Sequence, residues 1–148
     1  MRSPVHEGCR EIIGVHPCDR RRDTAVTSAL FPGAHWSLVT DPVDTLWHPD
    51  VRETREEITA RAREFMLHIM QRPERHIAIV THSSFLNYLC KSFGADFSTH
   101  MQDGLHKWYE NCEMRTYVLA DTVHAPPRGP LHFHGGKACA ASVAAAPA

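Results

Sequence analysis

Residues 76–86 read HIAIVTHSSFL. Ile77 to Val80 are apolar without a break, and Thr81, His82, Ser83 and Ser84 then stand before a second apolar stretch. A short, uniformly apolar and partly β-branched run is the signature of a strand covered on both faces of a sheet. From Ser84 onward, Phe85, Leu86, Leu89, Cys90 and Phe93 recur at helical spacing, and Gly94 supplies a stop. The stretch predicts a buried parallel strand over 77–81 feeding a helix, the unit of a layered α/β fold.

The flanking sequence extends this rhythm. Ile58, Ala62, Phe65, Met66 and Ile69 form one apolar stripe, which predicts a helix over 51–71 ended by Pro73. Asp50 and Glu53 have the spacing of a capping box, and Glu57 and Arg61 are placed to pair on the wet face. A further helix is expected over 98–109 and a strand over 114–119 (MRTYVL), with Trp36 to Val39 as a weaker third strand. Two or three strands make a poor sheet, so the pattern reads as part of an α/β domain. From Asp121 the chain turns rich in Pro, Gly and Ala and loses apolar periodicity. Residues 1–120 are therefore expected to form the partial domain and 121–148 a disordered tail.

Composition narrows the function. The 148 residues are 43% hydrophobic and 22% charged, with a net charge of -1, which is ordinary for a globular domain. Neither nucleic acid nor an anionic membrane is an expected partner, since both need a basic excess. No run approaches the length of a membrane span, so a cytoplasmic chain is the default expectation. The five cysteines are odd in number and irregularly spaced, which favours free thiols. Among the twelve histidines only His132 and His134 approach a metal-ligand pair, and no metal or other cofactor is expected.

Three chemistries fit a histidine and two serines at a strand's carboxyl end. His82 can satisfy a loop carbonyl while Ser83 or Ser84 caps the helix. The stretch Thr81-His82-Ser83-Ser84-Phe85 overlays a serine-hydrolase nucleophile elbow, but Thr81 and Phe85 occupy places that need small residues. Alternatively, His82 and the free N–H groups of the helix start face a phosphoryl group.

The last reading is favoured by four blocks taken in order: CREIIGVHPCDRRR (9–22), LWHPDVRE (46–53), HIAIVTHSSFL (76–86) and NCEMRTYVL (111–119). Together they resemble the C-terminal part of the histidine phosphatase superfamily, in its phosphoglycerate-mutase-like branch, over most of residues 5–120. The resemblance implies an incomplete three-layer α/β/α domain with a mostly parallel sheet. It implies metal-independent hydrolysis of phosphomonoesters through a phosphohistidine, with a small phosphorylated substrate or phosphate as the partner. A histidine in an Arg-His-Gly motif attacks phosphorus, a second histidine and arginines hold the oxygens, and an acid protonates the leaving group. By motif, His82 matches the second histidine and Glu11 the acid, with Glu7 assigned to the preceding element. Arg20, Arg21 and Arg22 are candidates to reach a phosphate or carboxylate, and Ser83 to contribute at the helix start.

No Arg-His-Gly occurs in the 148 residues. Arg75-His76-Ile77 enters the expected strand instead of leaving it, and Phe133-His134-Gly135 lies in the tail. The expectation is therefore a truncated, inactive form of such an enzyme, the alternative being a non-catalytic remnant that binds anions or protein partners. A sheet lacking an interior strand exposes apolar edges and unpaired backbone groups. At roughly 25 cal/mol per Å² of buried apolar area, that loss weighs heavily against a stability of about 5–15 kcal/mol. The chain is expected to be unstable, or to rely on a partner that completes the sheet.

Overall fold

The computed structural model describes residues 3–120 in full and the backbone of 121 and 139–143. Its centre is a pair of packed helices. Helix α2 (Arg55–Met70) turns Ile58, Ala62, Phe65 and Met66 inward, as the spacing predicts. Helix α3 (Ser83–Lys91) answers with Phe85, Leu89 and Cys90, and Phe93 follows just beyond its end. Phe65 and Phe85 meet edge to face at 6.0 Å. Phe85 is 0% exposed, and its burial alone contributes about 2–3 kcal/mol.

Helix α2 starts later than Asp50 predicts. Thr54 is the N-cap: its hydroxyl accepts from the Glu57 N–H at 3.2 Å, and the Glu57 carboxylate accepts from the Thr54 N–H at 2.8 Å. Two Ser/Thr/Asp-x-x-Glu patterns overlap here, and the second wins because Glu53 is committed elsewhere. Its N–H donates to the Ile13 carbonyl at 2.8 Å and its carboxylate accepts from the Ile13 N–H at 3.1 Å. Arg61 accordingly pairs with Glu53 rather than Glu57.

Helix α3 ends at Lys91, and three residues on the chain turns at Gly94, whose φ of +75° is left-handed. A Cβ there would lie 2.8 Å from the Phe97 ring and 2.9 Å from Leu105, so the stop needs glycine for shape as well as for backbone freedom. Helix α4 (Thr99–His106) is shorter than the 98–109 expected and buries Leu105 against the pair. Asn87, 2% exposed, donates to the His106 carbonyl at 3.1 Å, and the His106 ring meets the Phe93 carbonyl at 3.2 Å.

The sheet content is small and parallel. Strand β1 (Ser3–Pro4) pairs with β2 (Ala34–His35), and β3 (Tyr117–Asp121) pairs with β4 (Cys139–Val143). A short helix, α1 (Thr24–Leu30), precedes β2. The fold class is α/β, as expected for an incomplete phosphoglycerate-mutase-like domain, with four local corrections. Trp36 to Val39 is a turn closed by the Val39 N–H on the Trp36 carbonyl. Strand β3 begins at Tyr117 rather than 114, and β4 lies within the stretch read as an unstructured tail. The rest of that stretch, His132 and His134 included, lies outside the described residues.

The fourth correction concerns 77–81. The segment is neither helix nor strand and joins no ladder among the described residues. Val80 is 92% exposed and Ile77 41%, while Ile79 alone of this run leans on the core. The residues carry the composition of a doubly covered strand, but no strand among the described residues flanks them.

Candidate functional site

A tight turn, Glu7–Cys9, opens the segment that carries the expected acid. His6 starts it, its Nδ1 accepting the Gly8 N–H at 2.9 Å. Arg10 is held by Glu7 at 2.8 Å, by both carboxylate oxygens of Asp44, and by the Asp19 carbonyl at 3.0 Å. The Asp44 side chain is 1% exposed. Burial pushes its carboxyl pKa up, but the Arg10 guanidinium and the Arg21 N–H outweigh that and hold it at about 2.

The segment then crosses the start of α3. The Thr81 hydroxyl donates to the Cys9 carbonyl. One carboxylate oxygen of Glu11 accepts the N–H of Phe85 at 3.1 Å and that of Ile12 at 3.0 Å. His82 is the N-cap residue of α3, and its side chain makes no capping bond. The cap is thus supplied by Glu11, 74 residues away, and neither serine plays that part. At Gly14 (φ +97°) the chain turns away, and a Cβ there would sit 1.9 Å from the Val51 carbonyl oxygen. Val15 follows with φ +64°, its N–H on the His48 carbonyl at 2.8 Å.

Beneath this crossing lies Arg61 of α2. Its Nε and Nη2 grip Glu53 at 2.7 and 2.6 Å. Its Nη1 donates to the carbonyls of Gly8 and Arg10 at 3.1 and 3.0 Å, and Nη2 to that of Glu11 at 3.1 Å. The guanidinium also stands over the Phe85 ring, 5.1 Å from its centroid.

The result is a cleft of about 250 Å³. His82, Glu11, Arg20 and Arg21 line it together, with Trp36 and Arg10 on its walls. The His82 ring is exposed rather than packed in hydrocarbon. Ser83 opens α3 on the surface, outside the lining residues. The two arginines differ. Arg21 contacts Glu7 at 2.5 Å through Nε and spends its Nη atoms on the carbonyls of Arg22, Asp41, Pro42 and Val43. Arg20 stacks on Trp47 at 5.3 Å and makes no ion pair among the described residues. The indole N–H of Trp36 is buried without a hydrogen-bond partner, which is costly unless a ligand oxygen completes it.

Sequence reasoning brought His82, Glu11, Arg20 and Arg21 to one place but passed over Arg61, Glu53, Asp44 and Trp36. One signal was available for Arg61. It stands three residues after Ile58 and four before Phe65, on the apolar stripe itself, where a charge requires a buried partner. Among the described residues no group of three His, Cys, Asp or Glu side chains is placed to hold a metal, and no helix is long and apolar enough to cross a membrane. Cys9, Cys18, Cys90 and Cys112 are free thiols.

Comparison with known proteins identifies relatives of the chain. A phosphoglycerate mutase-like protein of Arabidopsis thaliana is 45% identical over 115 residues, 78% of this chain and 42% of the relative. Phosphoglycerate mutase-like proteins 1 and 2 of the same plant are 41% and 38% identical, over 79% and 83% of the chain. The chain spans less than half the length of these relatives. No solved structure matches it. The model of the histidine phosphatase superfamily (branch 1) matches residues 20–122, more than half of the sequence and including His82. The chain belongs to the histidine phosphatase superfamily, branch 1.

Proposed function

We propose that these residues form the oxyanion-holding and proton-donating half of a phosphomonoester hydrolase that works through a phosphohistidine. The carrying observation is that His82, Glu11 and Arg20 line one cleft at the start of α3. His82 and Arg20 hold the phosphoryl oxygens, helped by the free N–H groups of the first turn of α3. The Trp36 indole N–H, left without a partner, is a further donor to an oxygen seated there. Glu11, tethered by one carboxylate oxygen, keeps the other to protonate the leaving alkoxide. Arg21, committed to an ion pair with Glu7 and to four carbonyls, shapes the wall. The attacking histidine comes from outside these 148 residues, since they contain no Arg-His-Gly, and the chain alone does not turn over substrate.

Fusing the segment that precedes the matched region in the Arabidopsis relative to this chain tests the reading, with p-nitrophenyl phosphate as substrate and a chelator present. The fusion is expected to hydrolyse it and the chain alone not to. His82→Ala in the fusion should lower kcat/KM by about 10³-fold, the scale of losing an oxyanion donor. Turnover by the short chain, or an unimpaired His82→Ala fusion, contradicts the proposal.

A further inference from the structure

We infer that Arg61, gripped by Glu53, is the positioning residue that sets Glu11 at the start of α3. The inference rests on the proposed role of Glu11 and adds how that carboxylate is placed. Glu11 lies in an irregular segment, where the backbone carbonyls of Gly8, Arg10 and Glu11 have no ladder to satisfy them. All five N–H donors of Arg61 are used: two on Glu53 and three on those carbonyls. A buried carbonyl must be paired, so the guanidinium fixes the height and rotation of this segment over α2.

Glu53 makes the arrangement two-sided. Its carboxylate neutralises Arg61 while accepting the Ile13 N–H at 3.1 Å, and its own N–H returns to the Ile13 carbonyl at 2.8 Å. The residues on both sides of Glu11 are thereby tied down, one side to α2 by Arg61 and the other to Glu53, the residue just before its N-cap. From there the Glu11 carboxylate meets the Phe85 N–H at 3.1 Å. Phe85 lies beneath the Arg61 guanidinium, so the clamp and the capped amide share a wall. Lysine cannot replace this fork, having three donors on a single atom.

The Phe85 amide reports Glu11 position directly and without substrate. Hydrogen exchange on the full chain, with Leu105 of α4 as reference, compares Arg61→Lys, Arg61→Gln and Glu11→Ala alone and combined. Each Arg61 variant is expected to lower Phe85 protection about tenfold or more, as losing a charge-assisted bond would, while Leu105 stays within about twofold. In the Glu11→Ala background the Arg61 change should add less than about twofold, because both act on one bond. If Arg61→Gln does not fold, the gentler Arg61→Lys decides by the same criteria. Unchanged Phe85 protection, or a full additional loss on top of Glu11→Ala, overturns the inference. Titration with inorganic phosphate, followed on the His82 ring by NMR, separates the two readings. An unresponsive His82 in the parent chain counts against the phosphatase half-site and leaves the Phe85 result to decide the clamp.

Discussion

Gly14 carries the sharpest demand of any single position. Its φ of +97° and the Val51 carbonyl oxygen 1.9 Å from a built Cβ leave no room for alanine. Gly14→Ala is expected to cost about 3 kcal/mol, read by thermal or urea unfolding. Asp44 is the electrostatic counterpart. It is 1% exposed and bonded to Arg10 and to the Arg21 N–H, so Asp44→Ala leaves Arg10 to Glu7 and the Asp19 carbonyl, orphans the Arg21 N–H, and should cost about 1–3 kcal/mol. Because its folded pKa lies below the ordinary carboxylate value, at about 2, its contribution is present above pH ~4 and fades as pH falls toward 2. At this scale the sequence was legible where a motif marks a residue, as for Glu11 and His82. It was silent on Asp44, which stands in a loop with no periodicity and reaches Arg21 and Arg10, 23 and 34 residues away, besides the nearby Leu46 and Trp47 N–H groups.

Among the elements, α2 and α3 were readable because their apolar stripes are long enough to outweigh local ambiguity. The start of α2 was not, since Asp50 and Thr54 each begin an acceptable capping pattern and only the Ile13–Glu53 pairing chooses between them. Thr54→Ala should therefore cost about 1 kcal/mol, while Asp50→Ala changes stability by less than about 0.5 kcal/mol. Equal effects in denaturant melts would restore Asp50 as the cap. The segment 77–81 shows the opposite failure. Its composition encodes the environment of a covered strand, and propensity cannot supply the neighbours that make one. Val80, 92% exposed, should accept lysine with a stability change under about 0.5 kcal/mol. The same change should reduce dye binding by exposed apolar surface, together with any concentration-dependent association.

For the molecule as a whole, acid sensitivity should appear well above the range in which carboxylates titrate. Burial, and then the His68 ring 4.7 Å away, lower the His6 pKa from its ordinary 6.5, with Glu7 opposing. His6 must stay neutral to accept the Gly8 N–H. Its contribution is complete above pH ~6.5 and is lost as pH falls through the lower folded value. His6→Asn, which retains an acceptor without titrating, should flatten the fall in Tm between pH 8 and 5, and an unchanged fall would acquit this imidazole. The two bonds that assemble the cleft, Thr81 to Cys9 and Phe85 to Glu11, span 72 and 74 residues of chain. Loops that long close late, after local helices have formed, because their ordering entropy must be met first. Refolding should therefore show helical circular dichroism ahead of Phe85 amide protection. A cut in the chain between Met70 and Thr81 would leave Phe85 to find α2, and Thr81 to find Cys9, only by diffusion.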